Sequence, residues 1–139
     1  MSEEDLGALL ARATRRLLKE EQPLLAAQEL SMWAYIVLSR LASSPAETQL
    51  SLAGEIGYDK SRLIGLLDGL EGEGLLRREP DPADRRAKIV ALTALGQARY
   101  EAARLAIREM EMRLLDGVEE TEIARLRQLL AATRTHCAP

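Results

Sequence analysis

Residues 48–96, TQLSLAGEIGYDKSRLIGLLDGLEGEGLLRREPDPADRRAKIVALTALG, decide the fold of this 139-residue chain. The first half predicts two short helices, because Thr48 and Asp59 each carry a side-chain oxygen that can accept a free amide of a first helical turn. Only IGYD, residues 56–59, separates the two helices, and its glycine permits the tight turn of a helix-turn-helix. The second half places LLRRE and AKIVAL around PDPADRR, which predicts a hairpin with a stiff, charged tip.

Two further helices are predicted before this segment. Apolar residues recur at steps of three and four between Leu6 and Lys19, the pattern of an amphipathic helix. Pro23 is expected to end or interrupt that helix, because proline cannot donate the backbone hydrogen bond that would continue it. A second helix is expected from about Ala26 to Ala42. Its centre, MWAYIVL (32–38), is apolar nearly all round, so this helix should form the heart of the core.

Two helices are also predicted after the hairpin. Thr93 can cap a long helix that Gly117 breaks, and a last helix is expected from about Glu119 to Thr133. The second helix of the helix-turn-helix should point its apolar residues inward: Leu63, Ile64, Leu66, Leu67 and Leu70. The predicted fold class is therefore mainly α, with a small β-hairpin.

Composition excludes several classes of protein. With 47% hydrophobic and 29% charged residues, the chain is expected to be globular, neither disordered nor membrane-spanning. The motifs HExxH, CxxC, GxSxG and GxxxxGK[ST] do not occur, so no enzyme, metal site or cofactor is predicted. His136 and Cys137 are the single histidine and cysteine, and two ligands do not close a tetrahedral zinc site. The N-terminal segment lacks the pattern of a secretory signal peptide, so we expect a cytoplasmic protein.

A helix-turn-helix followed directly by a hairpin is the arrangement of a winged helix. In that arrangement the second helix enters the major groove of DNA and the hairpin, or wing, reaches toward the minor groove. Residues 59–90 hold seven cations and seven anions, but Asp68, Glu71 and Glu73 follow the cationic start of the helix, so we expect the cations to face the phosphates. The DNA-binding candidates are Thr48, Gln49, Tyr58, Lys60, Ser61, Arg62, Arg77, Arg78, Asp84, Arg85, Arg86 and Lys88.

The segment 48–96 resembles the DNA-binding half of MarR-type (multiple-antibiotic-resistance) transcription regulators. The resemblance rests on an Asp-x-Arg pattern at Asp84 and Arg86, followed by the Leu-Thr-x-x-Gly pattern of residues 92–96. It implies a homodimeric winged-helix repressor or activator, with Arg86 in the minor groove and Asp84 orienting the wing through a salt bridge. We expect a repressor that binds a palindromic promoter site.

Two glycines depart from the family pattern. Gly65 and Gly69 occupy positions of the recognition helix where relatives often carry longer polar side chains, so base recognition should depend on residues 60–62. Together with the acidic isoelectric point of about 5.3, this keeps a second hypothesis open, a winged helix that binds a protein partner and no specific DNA sequence.

The chain is expected to divide into a winged helix-turn-helix domain at 31–96 and a helical dimerisation region at 1–30 and 97–139. The apolar stripes of the latter could instead close an intrachain bundle. The resemblance also implies a small aromatic or phenolic effector. The candidate contacts are Trp33, Tyr35, Arg40 and Tyr58, although aromatic residues in a core helix are more often packing residues. The sequence identifies neither the effector nor any redox role of Cys137.

Overall fold

The computed structural model describes residues 3–44 and 47–133, so His136 and Cys137 lie outside the described residues. Within these ranges, six helices and three short strands follow one another along the chain: α1 (Leu6–Ala27), α2 (Met32–Ser43), β1 (Glu47–Thr48), α3 (Gln49–Ile56), α4 (Lys60–Gly72), β2 (Leu76–Pro80), β3 (Lys88–Leu92), α5 (Ala94–Leu114) and α6 (Glu120–Ala132). The mainly helical class, the helix-turn-helix and the β-hairpin are confirmed.

Local capping explains where three of these helices begin. The Thr48 hydroxyl accepts a hydrogen bond from the Ser51 amide at 3.1 Å, and the Asp59 carboxylate accepts one from the Arg62 amide at the same distance. Thr93 caps α5 in the same way. Gly57 ends α3 in the left-handed conformation, φ +67°, which a residue with a Cβ rarely adopts. The turn between α3 and α4 therefore depends on that glycine.

The prediction for Pro23 was wrong, because α1 continues through it to Ala27. Leu25 is buried, and Leu17 and Leu24 pack against the core, so tertiary contacts hold the helix on both sides of the proline. The break comes later. Helix α2 begins at Met32 and not at Ala26. The Ser31 hydroxyl caps its first turn.

The sheet has the strand order β1-β3-β2, and both pairings are antiparallel. The predicted hairpin is formed by β2 and β3, and in its register Leu76 pairs with Leu92 and Pro80 with Lys88. Strand β1 was not predicted, because two residues carry no periodicity that a sequence pattern can reveal. It pairs Glu47 with Val90, and this pairing attaches the wing to the start of α3.

The core lies where α2, α3, α4, α5 and the sheet meet. Its fully buried side chains are Leu38, Leu41, Leu52, Leu63, Leu67, Leu75, Leu76, Val37 and Val90. Ile64 is an exception to the prediction for α4, because it is 49% exposed. It lies on the side of α4 that turns toward the start of α3, beside Gln49, Leu50 and Lys60.

Apolar side chains remain uncovered on the helices at the two ends of the chain. Helix α6 has no buried residue, and α1 buries only Leu25. Leucines along both helices are more than one-third exposed: Leu6, Leu9, Leu10, Leu18, Leu126, Leu129 and Leu130. Among the described residues, no helix combines the length and apolarity needed to cross a membrane.

Candidate nucleic-acid interface

The exposed N-terminus of α4 carries three of the predicted DNA-binding residues, Lys60, Ser61 and Arg62. Asp59 precedes them, and its carboxylate accepts hydrogen bonds from the Ser61 hydroxyl at 2.5 Å and the Arg62 amide. These hydrogen bonds hold the pKa of Asp59 below its ordinary value. The carboxylate is thus occupied within its own helix turn, and the neighbouring cations stay exposed.

Tyr58 links this turn to the core. Its ring centroid lies 4.6 Å from that of Trp33 on α2, and the Arg62 guanidinium carbon lies 5.5 Å from the Tyr58 ring centroid. A guanidinium at that distance is attracted to the ring face. Tyr58 therefore positions Arg62 at the helix N-terminus.

Helix α3 contributes Thr48 and Gln49, both half-buried at its start. The Thr48 hydroxyl is engaged as the N-cap, and the Gln49 side-chain carbonyl accepts a hydrogen bond from the Arg78 guanidinium at 3.2 Å. Both side chains therefore already have partners within the protein.

Arg78 differs from the other predicted cations, because its side chain is only 15% exposed. Its guanidinium pairs with Asp68 and with Glu71, the latter at 2.8 Å. The Arg78 backbone amide also donates to Glu71 at 2.9 Å, and this bond together with the guanidinium holds the pKa of Glu71 below its ordinary value. The sequence prediction missed this network, although an acidic pair three residues apart on α4 was a usable indication.

The wing presents the remaining predicted cations to solvent: Arg77, Arg85, Arg86 and Lys88. Arg77 lies 3.6 Å from Glu79, and both side chains are more than 60% exposed, so screening by water leaves this contact weak. The other three make no ion pair within 4.0 Å among the described residues.

The resemblance implies that Asp84 orients the wing through a salt bridge, but Asp84 has no ion-pair partner within 4.0 Å in the part of the chain that the structure describes. Instead, the Asp84 carboxylate accepts a hydrogen bond from the backbone amide of Arg86 at 3.1 Å. The Asp84 carbonyl accepts from Ala87, and the Ala87 carbonyl accepts from Asp81, each at 2.9 Å. Asp84 therefore shapes the wing tip through the backbone, which leaves the Arg86 guanidinium at the surface.

The four effector candidates do not form one cluster. Trp33 contacts Tyr58, whereas Tyr35 stacks on Tyr100 of α5 at 5.6 Å. Burial raises the pKa of Tyr35 to about 12, with a smaller contribution from Tyr100. Arg40 pairs with Glu47 at 2.8 Å. Trp33 and Tyr35 of α2 therefore contact different partners.

Comparison with known proteins agrees with this geometry. The model of the MarR family matches residues 30–88. One similar structure is described as the transcriptional repressor CouR bound to a 23-mer DNA duplex. CouR is 30% identical to this chain, and the match covers 94% of this chain and 97% of the CouR chain with a TM-score of 0.80. The chain belongs to the MarR family. It is therefore a transcription regulator with a winged helix.

Two further structures extend the MarR-family comparison. A MarR-family transcriptional regulator from Rhodococcus sp. RHA1 is 28% identical, with a TM-score of 0.81 and coverage of 92% of this chain and 94% of its own. CouR from Rhodococcus jostii RHA1 bound to p-coumaroyl-CoA is 27% identical, with a TM-score of 0.79 and coverage of 91% and 89%. Similarity therefore extends over both the winged helix and the flanking helices.

Proposed function

We propose that this MarR-family regulator represses transcription from the cytoplasm by binding a palindromic promoter site as a homodimer. The N-terminus of α4 enters the major groove, where Lys60, Ser61 and Arg62 contact phosphates and base edges. The wing lies along the neighbouring minor groove with Arg86 inserted, and further contacts come from Thr48, Gln49, Tyr58, Arg77, Arg85 and Lys88.

The observation that carries the proposal is the sorting of charge between residues 59 and 90. Asp59 caps α4, Asp68 and Glu71 pair with Arg78, and Asp84 binds a backbone amide. Lys60, Arg62, Arg85, Arg86 and Lys88 have no ion-pair partner among the described residues. The cations without partners therefore cluster at the N-terminus of α4 and on the wing, although Glu73 and Glu79 are also exposed in this segment, and such clusters of cations favour phosphate binding.

A homodimer is supported by the uncovered apolar faces of α1 and α6. Leu10 and Leu17 of α1 and Leu126 and Leu130 of α6 line a groove of about 390 Å³ that α5 completes. Exposed apolar surface of this extent indicates an interaction site. A second copy of the chain covers it, with the dimerisation region at 1–30 and 97–139 and the DNA-binding domain at 31–96. Two-fold symmetry then places the recognition helices about 34 Å apart, one turn of the duplex.

A small aromatic or phenolic effector releases the DNA, in keeping with the ligand bound to CouR. Trp33 and Tyr58 offer the more direct route, because Trp33 packs on Tyr58 and the Tyr58 ring lies against the Arg62 guanidinium. An effector that separates these two rings removes the support of Arg62. Release requires that the effector bind the non-DNA-binding conformation more tightly.

The test is a fluorescence-anisotropy titration against the intergenic DNA upstream of the gene, at two salt concentrations, with an unrelated duplex for comparison. Arg86→Ala should weaken specific binding by about 1–3 kcal/mol. Arg108→Ala, which removes an exposed cation from α5, is the control and should bind as tightly as the unmodified protein.

Tight, salt-sensitive and sequence-selective binding supports the regulator. Equal or absent binding to both duplexes would instead favour a winged helix that binds a protein partner. An unchanged affinity for Arg86→Ala would refute the role of the wing and leave the major-groove contacts to be tested separately. Phenolic acids added to the complex test the effector, and an affinity unchanged by all of them counts against release by this class.

A further inference from the structure

We propose that Arg78 is a positioning residue that fixes the wing against the recognition helix, instead of a phosphate contact. The inference rests on the proposed DNA binding and assigns a different role to one cation of the interface. It follows from which groups the Arg78 guanidinium reaches and from how little of it faces solvent.

Arg78 connects three elements. It lies on β2 of the wing, its guanidinium pairs with Asp68 and Glu71 on α4, and it donates to the Gln49 carbonyl at the start of α3. The Glu71 carboxylate accepts three hydrogen bonds from this one residue, from the backbone amide, Nε and Nη2, at 2.8–3.0 Å. A planar guanidinium whose Nε and Nη2 both donate to one carboxylate oxygen, Oε1, has a fixed orientation. The relative position of β2 and α4 is therefore fixed.

The same contacts make Arg78 a poor phosphate ligand. Two carboxylates neutralise its charge, and its side chain is 15% exposed against 64% for the neighbouring Arg77. The two residues alternate along β2, so Arg77 faces solvent while Arg78 faces α4. Contacting a phosphate would require Arg78 to abandon Glu71 and Asp68.

A wing that is not fixed must be ordered when DNA binds. If the network is broken and the wing adopts the binding orientation one-tenth of the time, the apparent affinity falls about tenfold, with every phosphate contact still available. A lost phosphate contact has another effect, since it reduces the slope of log K against log salt by about one. Salt dependence therefore separates the two roles.

Glu71→Gln gives the sharpest test, because the two roles predict opposite signs. Removing a carboxylate beside DNA should strengthen binding if only long-range charge matters. If Glu71 holds Arg78, the variant should weaken binding about tenfold with an unchanged salt slope. Glu79→Gln is the matched control, since it makes the same charge change in the wing without touching Arg78, and it should bind as well as or better than the unmodified protein.

Arg78 variants complete the cycle. Arg78→Lys keeps the positive charge but loses the planar guanidinium, so it should weaken DNA binding about as much as Arg78→Ala. The double variant that combines Arg78→Ala with Glu71→Gln should bind DNA no more weakly than the worse of the two single variants. Arg77→Ala should lower the salt slope by about one. Hydrogen exchange of the free protein should show faster exchange of wing amides 79–88 in Arg78→Ala than in Arg77→Ala.

Tight binding by Glu71→Gln, full activity of Arg78→Lys, or unchanged wing exchange in Arg78→Ala would each overturn the proposal. The exchange measurement needs no DNA, so it tests the network even if the unmodified protein binds no duplex. Absence of duplex binding by the unmodified protein would refute the proposed function. The exchange data would separately decide whether Arg78 fixes the wing.

Discussion

Gly96→Ala tests how closely α5 approaches the start of the wing. Gly96 is buried in the first turn of α5, and a Cβ placed on it would lie 1.9 Å from the backbone oxygen of Leu75. Ordinary contact begins at 3.4 Å, so α5 and Leu75 would have to separate by about 1.5 Å. Backbone cannot rotate away as a side-chain end can, and the strain must move the whole helix.

The cost follows from what that separation breaks. The Thr93 amide donates to the Leu75 carbonyl at 3.2 Å, and the Thr93 hydroxyl donates to the Gly74 carbonyl at 2.5 Å. Each such bond contributes about 1 kcal/mol. Overpacking adds roughly 1–3 kcal/mol, and the better helix propensity of alanine returns at most about 1 kcal/mol. We expect the free energy of unfolding to fall by about 2–4 kcal/mol.

Urea denaturation monitored by circular dichroism at fixed protein concentration measures this loss. Gly65→Ala is the matched control, because it is also a helical Gly→Ala change but its Cβ meets nothing within 4 Å. It should stabilise the protein by about 0.5–1 kcal/mol. A Gly96→Ala variant as stable as the unmodified protein would refute the close approach of α5 to Leu75.

Three further predictions concern stability and assembly. Hydrogen bonding to Arg40 lowers the pKa of the buried Glu47 below its ordinary 4.5. The stabilisation by Glu47 is therefore complete above pH 4.5 and is lost as the pH falls through the lower folded-state pKa. In urea titrations, Glu47→Gln should lose less free energy of unfolding on acidification than the unmodified protein. Ser31→Ala, which removes the cap of α2, should cost about 1 kcal/mol in thermal unfolding without changing DNA affinity. Leu126→Glu should convert the proposed dimer to monomer in sedimentation, whereas Arg125→Glu on the same helix should not.

Each of these outcomes has a result that contradicts it. An equally steep acid loss in Glu47→Gln would place the titrating group elsewhere. Weaker DNA binding by Ser31→Ala at full stability would mean that the start of α2 takes part in recognition. A dimer that survives Leu126→Glu would exclude this face of α6 from the interface.

Features that depend on neighbouring residues were predictable from the sequence. The caps at Thr48, Asp59 and Thr93 each bind an amide three residues ahead, so their effect is readable in a short window. The two strands of the hairpin followed from two runs of strand-forming residues around one charged turn. Long-range contacts were not predictable in this way, because a hydrogen bond between Arg78 and Gln49 joins residues 29 positions apart.

The same distinction explains the error about Pro23 and the separate contacts of Trp33 and Tyr35. Proline disfavours a helix locally, but the packing of Leu17, Leu24 and Leu25 on the core outweighs that cost. Trp33 and Tyr35 are two residues apart, so they project about 200° apart around α2 and meet different partners. Helical geometry therefore gives these two aromatic residues separate contacts.

Charge distribution also explains how an acidic chain can present a phosphate-binding surface. Its net charge is −3, yet several anions of the winged helix are used to build the interface. Asp59 begins the recognition helix, Glu71 orients Arg78, and Asp84 shapes the wing tip. A carboxylate bound to an amide or a guanidinium repels phosphate less than a free one, because its charge is already compensated nearby. The local pairing of charges, rather than their sum, therefore determines which surface DNA can approach.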